Sequence, residues 1–290
     1  MDDVQRLKDL KKDPSLFDQG PHGSCGFAGT LMGLLIHDPS KVDDLYKTIS
    51  QGSEYLGVKE SVEVKNRLKK RLDAGVINDQ ANNFLDVRMS LGLMIILKEY
   101  LREKKQDQIW EDCRKYSLNF KDYQQNPWVY GDKLKDLQQN ALNVPDFAYK
   151  HGDLALTIPA MEALLGMVGF KSISTTSLVS NEDVVRSGKN LRMLFLNQSL
   201  KDNLKKVVNK VDDGTYAGAM VGVAYKPFIG QAVHKPHQYI GHWVYLPKPI
   251  RFPPVDVARN VVWTWGKQLN LNDLLKEDMV PKAVVTFEKQ

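Results

Sequence analysis

The stretch from Gln19 to Leu35, QGPHGSCGFAGTLMGLL, constrains this chain more than any other. A Gly/Pro/Ser loop runs directly into Cys25, and from Cys25 to Ile36 almost every residue is apolar or small. A helix that is apolar all round has no face to give to water and belongs inside a protein. Asp38-Pro39 stops it, because proline disfavours the helical conformation in the residue before it. Cys25 therefore stands at the first turn of a buried helix. A thiol there feels the positive end of the macrodipole, which favours thiolate over thiol. Such placement is expected to lower a cysteine pKa from about 8.5 into roughly 3.5–7.5, and a thiolate is a nucleophile.

The rest of the chain divides near residue 170. Before it, apolar positions recur at helical spacing and predict helices at about 2–12, 40–50, 59–73, 80–104, 106–116, 131–142 and 159–168. Leu85, Met89, Leu93, Ile96 and Leu97 form a stripe on the longest of these, which reads as core packing. Beyond 170, β-branched and aromatic runs separated by Pro and Gly predict strands at about 172–176, 193–196, 216–225, 239–246, 257–265 and 283–287, with a helix at 199–211. A helical lobe over about 1–170 followed by a β-rich lobe over about 171–290 makes the class α+β.

Composition narrows the function classes. With 290 residues, 42% hydrophobic and 26% charged, the chain can build a sizeable core and is not of disordered type. The net charge of +5 is spread over pairs such as Lys69-Lys70, Lys104-Lys105 and Lys205-Lys206, which read as solvated helix faces, so no nucleic-acid partner is expected. Cys25 and Cys113 are the only cysteines, too few for a disulfide framework, and reduced thiols are expected. The polar opening Met1 to Arg6 is no signal peptide. The longest apolar runs, Leu91–Leu97 and Val221–Tyr225, fall short of the ~20 residues needed to span a bilayer. The expectation is a protein made in the cytoplasm without a membrane span, with signal-independent secretion or injection left open.

A catalytic thiolate needs a base, a group to orient that base, and donors for the oxyanion. Of the six histidines, His242 is the best placed. It heads the apolar strand Gly241-His242-Trp243-Val244-Tyr245, where an imidazole is held rigidly. His22 sits three residues before the cysteine on the same loop and reads as loop or cleft lining. His234 and His237 flank Pro236 ahead of the histidine strand, with no spacing that supports zinc, so neither metal nor cofactor is expected. Cys113 reads as a helix residue and not as a second nucleophile. Gly214, Gly218 and Gly222 match neither a phosphate loop nor a dinucleotide fingerprint.

Gln19 followed six residues later by Cys25, with Gly-Ser before the cysteine, Gly after it and a helix beyond, resembles the papain-like cysteine peptidase superfamily. Thr264-Trp265-Gly266 is similar to that family's Asn-Ser-Trp-Gly. The resemblance implies one papain-like catalytic domain over 1–290, with the cysteine heading the central helix of a helical lobe and the histidine supplied by the later β lobe. It implies an oxyanion hole made by the Gln19 side chain and the Cys25 backbone N–H. It covers about 20 residues around Cys25 and, more loosely, residues 239–266; nothing between 40 and 190 carries it.

Two departures matter. Gly26 stands where the peptidases carry an aromatic, which is closer to bacterial papain-fold enzymes that process leader peptides or act as toxins. Trp263 stands where the orienting Asn belongs, and an indole cannot accept the imidazole N–H. Asp256, across the turn at Phe252-Pro253-Pro254, is the first candidate for the third residue; Asn260, Thr264, a backbone acceptor and a simple dyad are the alternatives. Trp265 is expected to shield the imidazole's hydrogen bond while packing in the core. The expected activity is cleavage of a peptide or other amide bond through a thioester. The protein or peptide substrate would meet Cys25, His242, Asp256 and Gln19. The long helical insertion points by analogy to a bacterial effector or toxin, for which an inhibitor or immunity protein is a possible partner. A papain-fold deamidase or transglutaminase, and a non-catalytic papain-fold binding protein, are the competing expectations.

Overall fold

The computed structural model describes residues 2–19, 24–73, 77, 79–114, 156–178, 202, 206–207, 209–211, 216–225, 242–247, 261–264, 267–270 and 279–288, with 224–225, 261–264, 267–270 and 279–282 as backbone only. The expected helix at 131–142 and strand at 193–196 lie outside these residues.

Prolines and short polar side chains set the helix boundaries. Helix α1 (Asp3–Lys12) starts at Asp2, whose carboxylate accepts the Val4 N–H at 3.3 Å; Asp3 lies in its first turn and Lys11 and Lys12 in its last, as the macrodipole favours. Asp13 caps the single 3-10 turn at Pro14–Leu16. Helices α2 (Cys25–His37) and α3 (Pro39–Gln51) part at Asp38, because Pro39 can open a helix but not continue one. Helix α3 ends on Gly52, which takes the left-handed conformation (φ 82°). The helix expected over 59–73 is two pieces, a 3-10 turn at Lys59–Glu63 and α4 (Val64–Asp73). Helix α5 (Phe84–Glu103) starts later than its periodicity predicts, and its stripe of Leu85, Met89, Leu93, Ile96 and Leu97 is buried. Residues 107–114 are helical, and α6 covers Ile158–Met167.

The strands are β1 (Lys171–Ser177), β2 (Gly218–Tyr225), β3 (His242–Pro247), β4 (Val261–Thr264), β5 (Lys267–Asn270) and β6 (Met279–Glu288). They form one antiparallel sheet in the order β1-β6-β2-β3-β4-β5. The α+β class therefore holds. β5, too polar and short to show a strand pattern, is an addition to the expected elements. β6 begins well before 283 because β2 pairs with it along its whole length, from Gly218↔Phe287 to Tyr225↔Met279. Pro281 is tolerated there: it sits where the register shifts between Gly222 and Val223, beyond the last β1 pairing at Ser177↔Ala283.

Strand alternation sorts the sheet into two faces. Met220, Trp243, Tyr245, Ala283, Val285 and Phe287 join the helical core. Ala219, Val221, Val223, His242, Val244 and Leu246 occupy the opposite face and are buried as well. β3 is thus enclosed on both sides, and α2 lies against its helical side.

Candidate active site

Glycines bring α2 close to the sheet. A Cβ on Gly29 would stand 2.5 Å from Met220 Cε, one on Gly33 3.5 Å from the Tyr245 ring, and one on Gly26 2.6 Å from Leu156 Cδ1. Gly26 thus fits the space that an aromatic side chain would have to share with Leu156. Both ends of α2 are fastened to β3. At the start, the Trp243 backbone N–H donates to Cys25 Sγ at 3.3 Å. At the end, Tyr245 Oη and His37 Nε2 are hydrogen-bonded at 3.3 Å.

The first of these contacts spans 218 residues and brings the cysteine to the histidine's strand. His242 is the residue before Trp243, so standard backbone dimensions put its Cα within about 6 Å of the sulfur. A strand N–H lies near the plane of the sheet, so the sulfur sits at the backbone edge of β3 between the two faces. The Trp243 side chain leaves on the helical face, where its Nε1–H donates to the Leu156 carbonyl at 2.8 Å. His242 alternates to the other face, opposite Val223.

Burial governs the charges here. The Cys25 thiol is pushed up to about 11 by desolvation, against the pull of the N–H groups of Trp243, Gly26 and Cys25 itself. This corrects the expected thiolate: the helix start does aim N–H groups at the sulfur, but removal from water outweighs them. His242 is held down to about 3 by the same cause. Across neutral pH the Cys25 thiol and the His242 imidazole, which alternates to the other face of the sheet, are both neutral.

Of the other expected site residues, Gln19 is buried, in the chain that follows the 3-10 turn. Asp256, Asn260, Trp265, His22, His234 and His237 lie outside the described residues. Thr264 closes β4, one position past the Tyr245↔Trp263 pairing, so the strand carrying Trp263 does lie beside the histidine strand. Cys113 is a helical residue, as expected; its Sγ lies 3.5 Å from both the Thr157 hydroxyl and the Thr157 N–H. Among the described residues no group of three or more His, Cys, Asp or Glu comes together to hold a metal, and no helix is long and apolar enough to cross a membrane.

Three features escape the sequence reading. Trp243 touches the thiol through its backbone, which no side-chain pattern signals. Ser24, the residue before Cys25, has a buried hydroxyl with no hydrogen-bond partner among the described residues and makes no side-chain cap on α2. The Gly26, Gly29 and Gly33 spacing lay in plain view as a small-residue stripe, and it marks the side of α2 that meets Leu156 and the sheet. Comparison with protein-family models, with curated proteins and with solved structures returned no match for this chain.

Proposed function

We propose that the chain is a thiol hydrolase of papain-like arrangement, acting on a peptide or other amide bond. The observation that carries this reading is the Trp243 N–H to Cys25 Sγ contact at 3.3 Å, which joins the head of a buried helix to the strand that begins with His242. In the proposed reaction His242 takes the Sγ proton as sulfur bonds to the substrate carbonyl carbon. The oxyanion is held by the Cys25 N–H and the Gln19 amide. Collapse breaks the C–N bond, and the departing amine takes the proton from His242, leaving a thioester. Water then attacks the thioester carbon as His242 takes its proton, the C–S bond breaks to release the carboxylic acid, and the proton returns from His242 to sulfur to restore the thiol. An amine in place of water gives acyl transfer on the same residues. A neutral resting pair suits this sequence, since the proton moves only when sulfur attacks. Asp256 remains the first choice to orient the imidazole. The helices between α2 and β1 offer a surface for choosing a protein substrate, which is the basis for the effector or toxin reading.

A binding role is the second reading, and one observation favours it: Cys25 and Cys113 are pushed up to the same value of about 11. Iodoacetamide labelling at pH 6, read by mass spectrometry, separates the two. The hydrolase reading expects Cys25 to react at least about tenfold faster than Cys113, and His242→Ala to remove the difference. Equal, slow labelling of both thiols would leave the binding role standing alone.

A further inference from the structure

Gln19 is the proposed oxyanion donor farthest from any regular element, so something must hold the chain that carries it. The segment just before it is tied down from beneath. Asp86, on α5, is fully buried, and Arg6, on α1, is 14% exposed. The guanidinium meets the carboxylate in a fork, Nε to Oδ1 at 3.0 Å and Nη2 to Oδ2 at 2.6 Å. The same pair grips the backbone between them: Arg6 Nη2 donates to the Leu16 carbonyl at 2.6 Å, and Asp86 Oδ2 accepts the Asp18 N–H at 2.8 Å. Phe17, between those two contacts, is buried in the core. Three successive residues are therefore fixed immediately before Gln19, by two helices that do not otherwise belong to the site.

We propose that Arg6 and Asp86 are positioning residues for Gln19, holding residues 16–18 so that its amide is presented to the oxyanion; this rests on the hydrolase reading above. A buried fork with two backbone contacts is more than helix packing needs, because α1 and α5 also meet through apolar side chains and through Arg88 and Asp3 at 2.7 Å. A planar guanidinium serves here where an ammonium would not, since it satisfies two carboxylate oxygens and a carbonyl from one rigid group. The positioning role makes a specific demand: disturbing the fork should act only through Gln19.

Two reactions of Cys25 distinguish that demand from loss of structure. Alkylation by iodoacetamide forms no oxyanion. Acylation by p-nitrophenyl acetate does: sulfur bonds the acetyl carbon, the thiol proton passes to His242, the tetrahedral oxyanion forms, and p-nitrophenolate leaves. Gln19→Ala is expected to slow acylation about 100-fold and leave alkylation within twofold. Arg6→Lys and Asp86→Asn, which keep most of the packing, are expected to slow acylation about tenfold with the same unchanged alkylation, and to add nothing further in the Gln19→Ala background. Arg6→Lys or Asp86→Asn slowing both reactions alike, or multiplying the loss in Gln19→Ala, would overturn the positioning role alone. A wild-type chain that is neither alkylated nor acylated at Cys25 faster than at Cys113 would overturn the hydrolase reading, and this one with it.

Discussion

The two cysteines are a natural pair of sites to compare. Both are buried, both thiols are pushed up to about 11, and both accept a backbone N–H from a distant segment, Trp243 at 3.3 Å and Thr157 at 3.5 Å. Burial and acidity therefore do not mark one of them as a nucleophile. Their neighbours differ. Cys113 meets the N–H and hydroxyl of Thr157, the residue that precedes α6, and is a tether between two helical segments. Cys25 heads a buried helix, faces the first-turn N–H groups, and lies against the strand that opens with His242 and next to a buried hydroxyl that has no partner among the described residues. A helix dipole is worth at most a couple of kcal/mol, whereas desolvation of a charge costs several, so a dipole alone cannot ionise a thiol in such a place. What sets Cys25 apart is its place at the head of α2 against the backbone of the strand that opens with His242, the residue that would serve as base in the proposed reaction.

The largest effect expected from this contrast is on acid stability. His242 is held down to about 3 when folded and returns to about 6.5 when unfolded, so between those values the unfolded chain binds the extra proton. Stability is then full above about pH 6.5 and falls as pH drops towards 3, by about 3 kcal/mol at pH 4. Urea denaturation at pH 7 and pH 4 should show that loss in the wild type and a much smaller one in His242→Gln. Equal losses would mean that His242 is not kept neutral by burial.

Next comes the seam that seats α2. Gly29→Ala drives a Cβ to within 2.5 Å of Met220 Cε, an overpacking that costs about 1–3 kcal/mol and lowers the melting temperature. Because the crowded atom ends a flexible side chain, Met220→Val in the same chain should recover most of the loss. Absence of recovery would place the crowding elsewhere. The Cys25 labelling rate should move with this pair of changes, while Cys113 should not.

Two smaller effects complete the comparison. Tyr245→Phe removes the hydroxyl that meets His37 at the far end of α2 and should cost about 1 kcal/mol in urea, with a modest change at Cys25. Thr157→Val removes the hydroxyl partner of Cys113 and should cost a similar amount without changing Cys25 labelling. A change at Cys25 as large as that at Cys113 would show that the two sites are coupled.

Much of the architecture was legible in the order of residues. Asp38-Pro39 divides α2 from α3, Gly52 ends α3, and the apolar run after Cys25 is buried, because these depend on energies settled within a turn or two of chain. The passage from helices to strands near residue 170 followed from the local pattern of β-branched and aromatic runs between Pro and Gly; that the strands pair antiparallel is seen in the structure. β5 and the early start of β6 did not, since Lys267–Asn270 becomes a strand only by pairing with β4, and Met279–Lys282 only by pairing with β2. Pairing is a non-local energy that no four-residue window contains. The site divides the same way. That a cysteine heads the buried helix and a histidine opens a strand is written in the chain. The contact of the Cys25 sulfur with the histidine's strand at Trp243, 218 residues away, the protonation of Cys25 and His242, and the Arg6–Asp86 fork beneath Gln19 belong to the fold, because only packing decides which groups leave water and which N–H a sulfur finds.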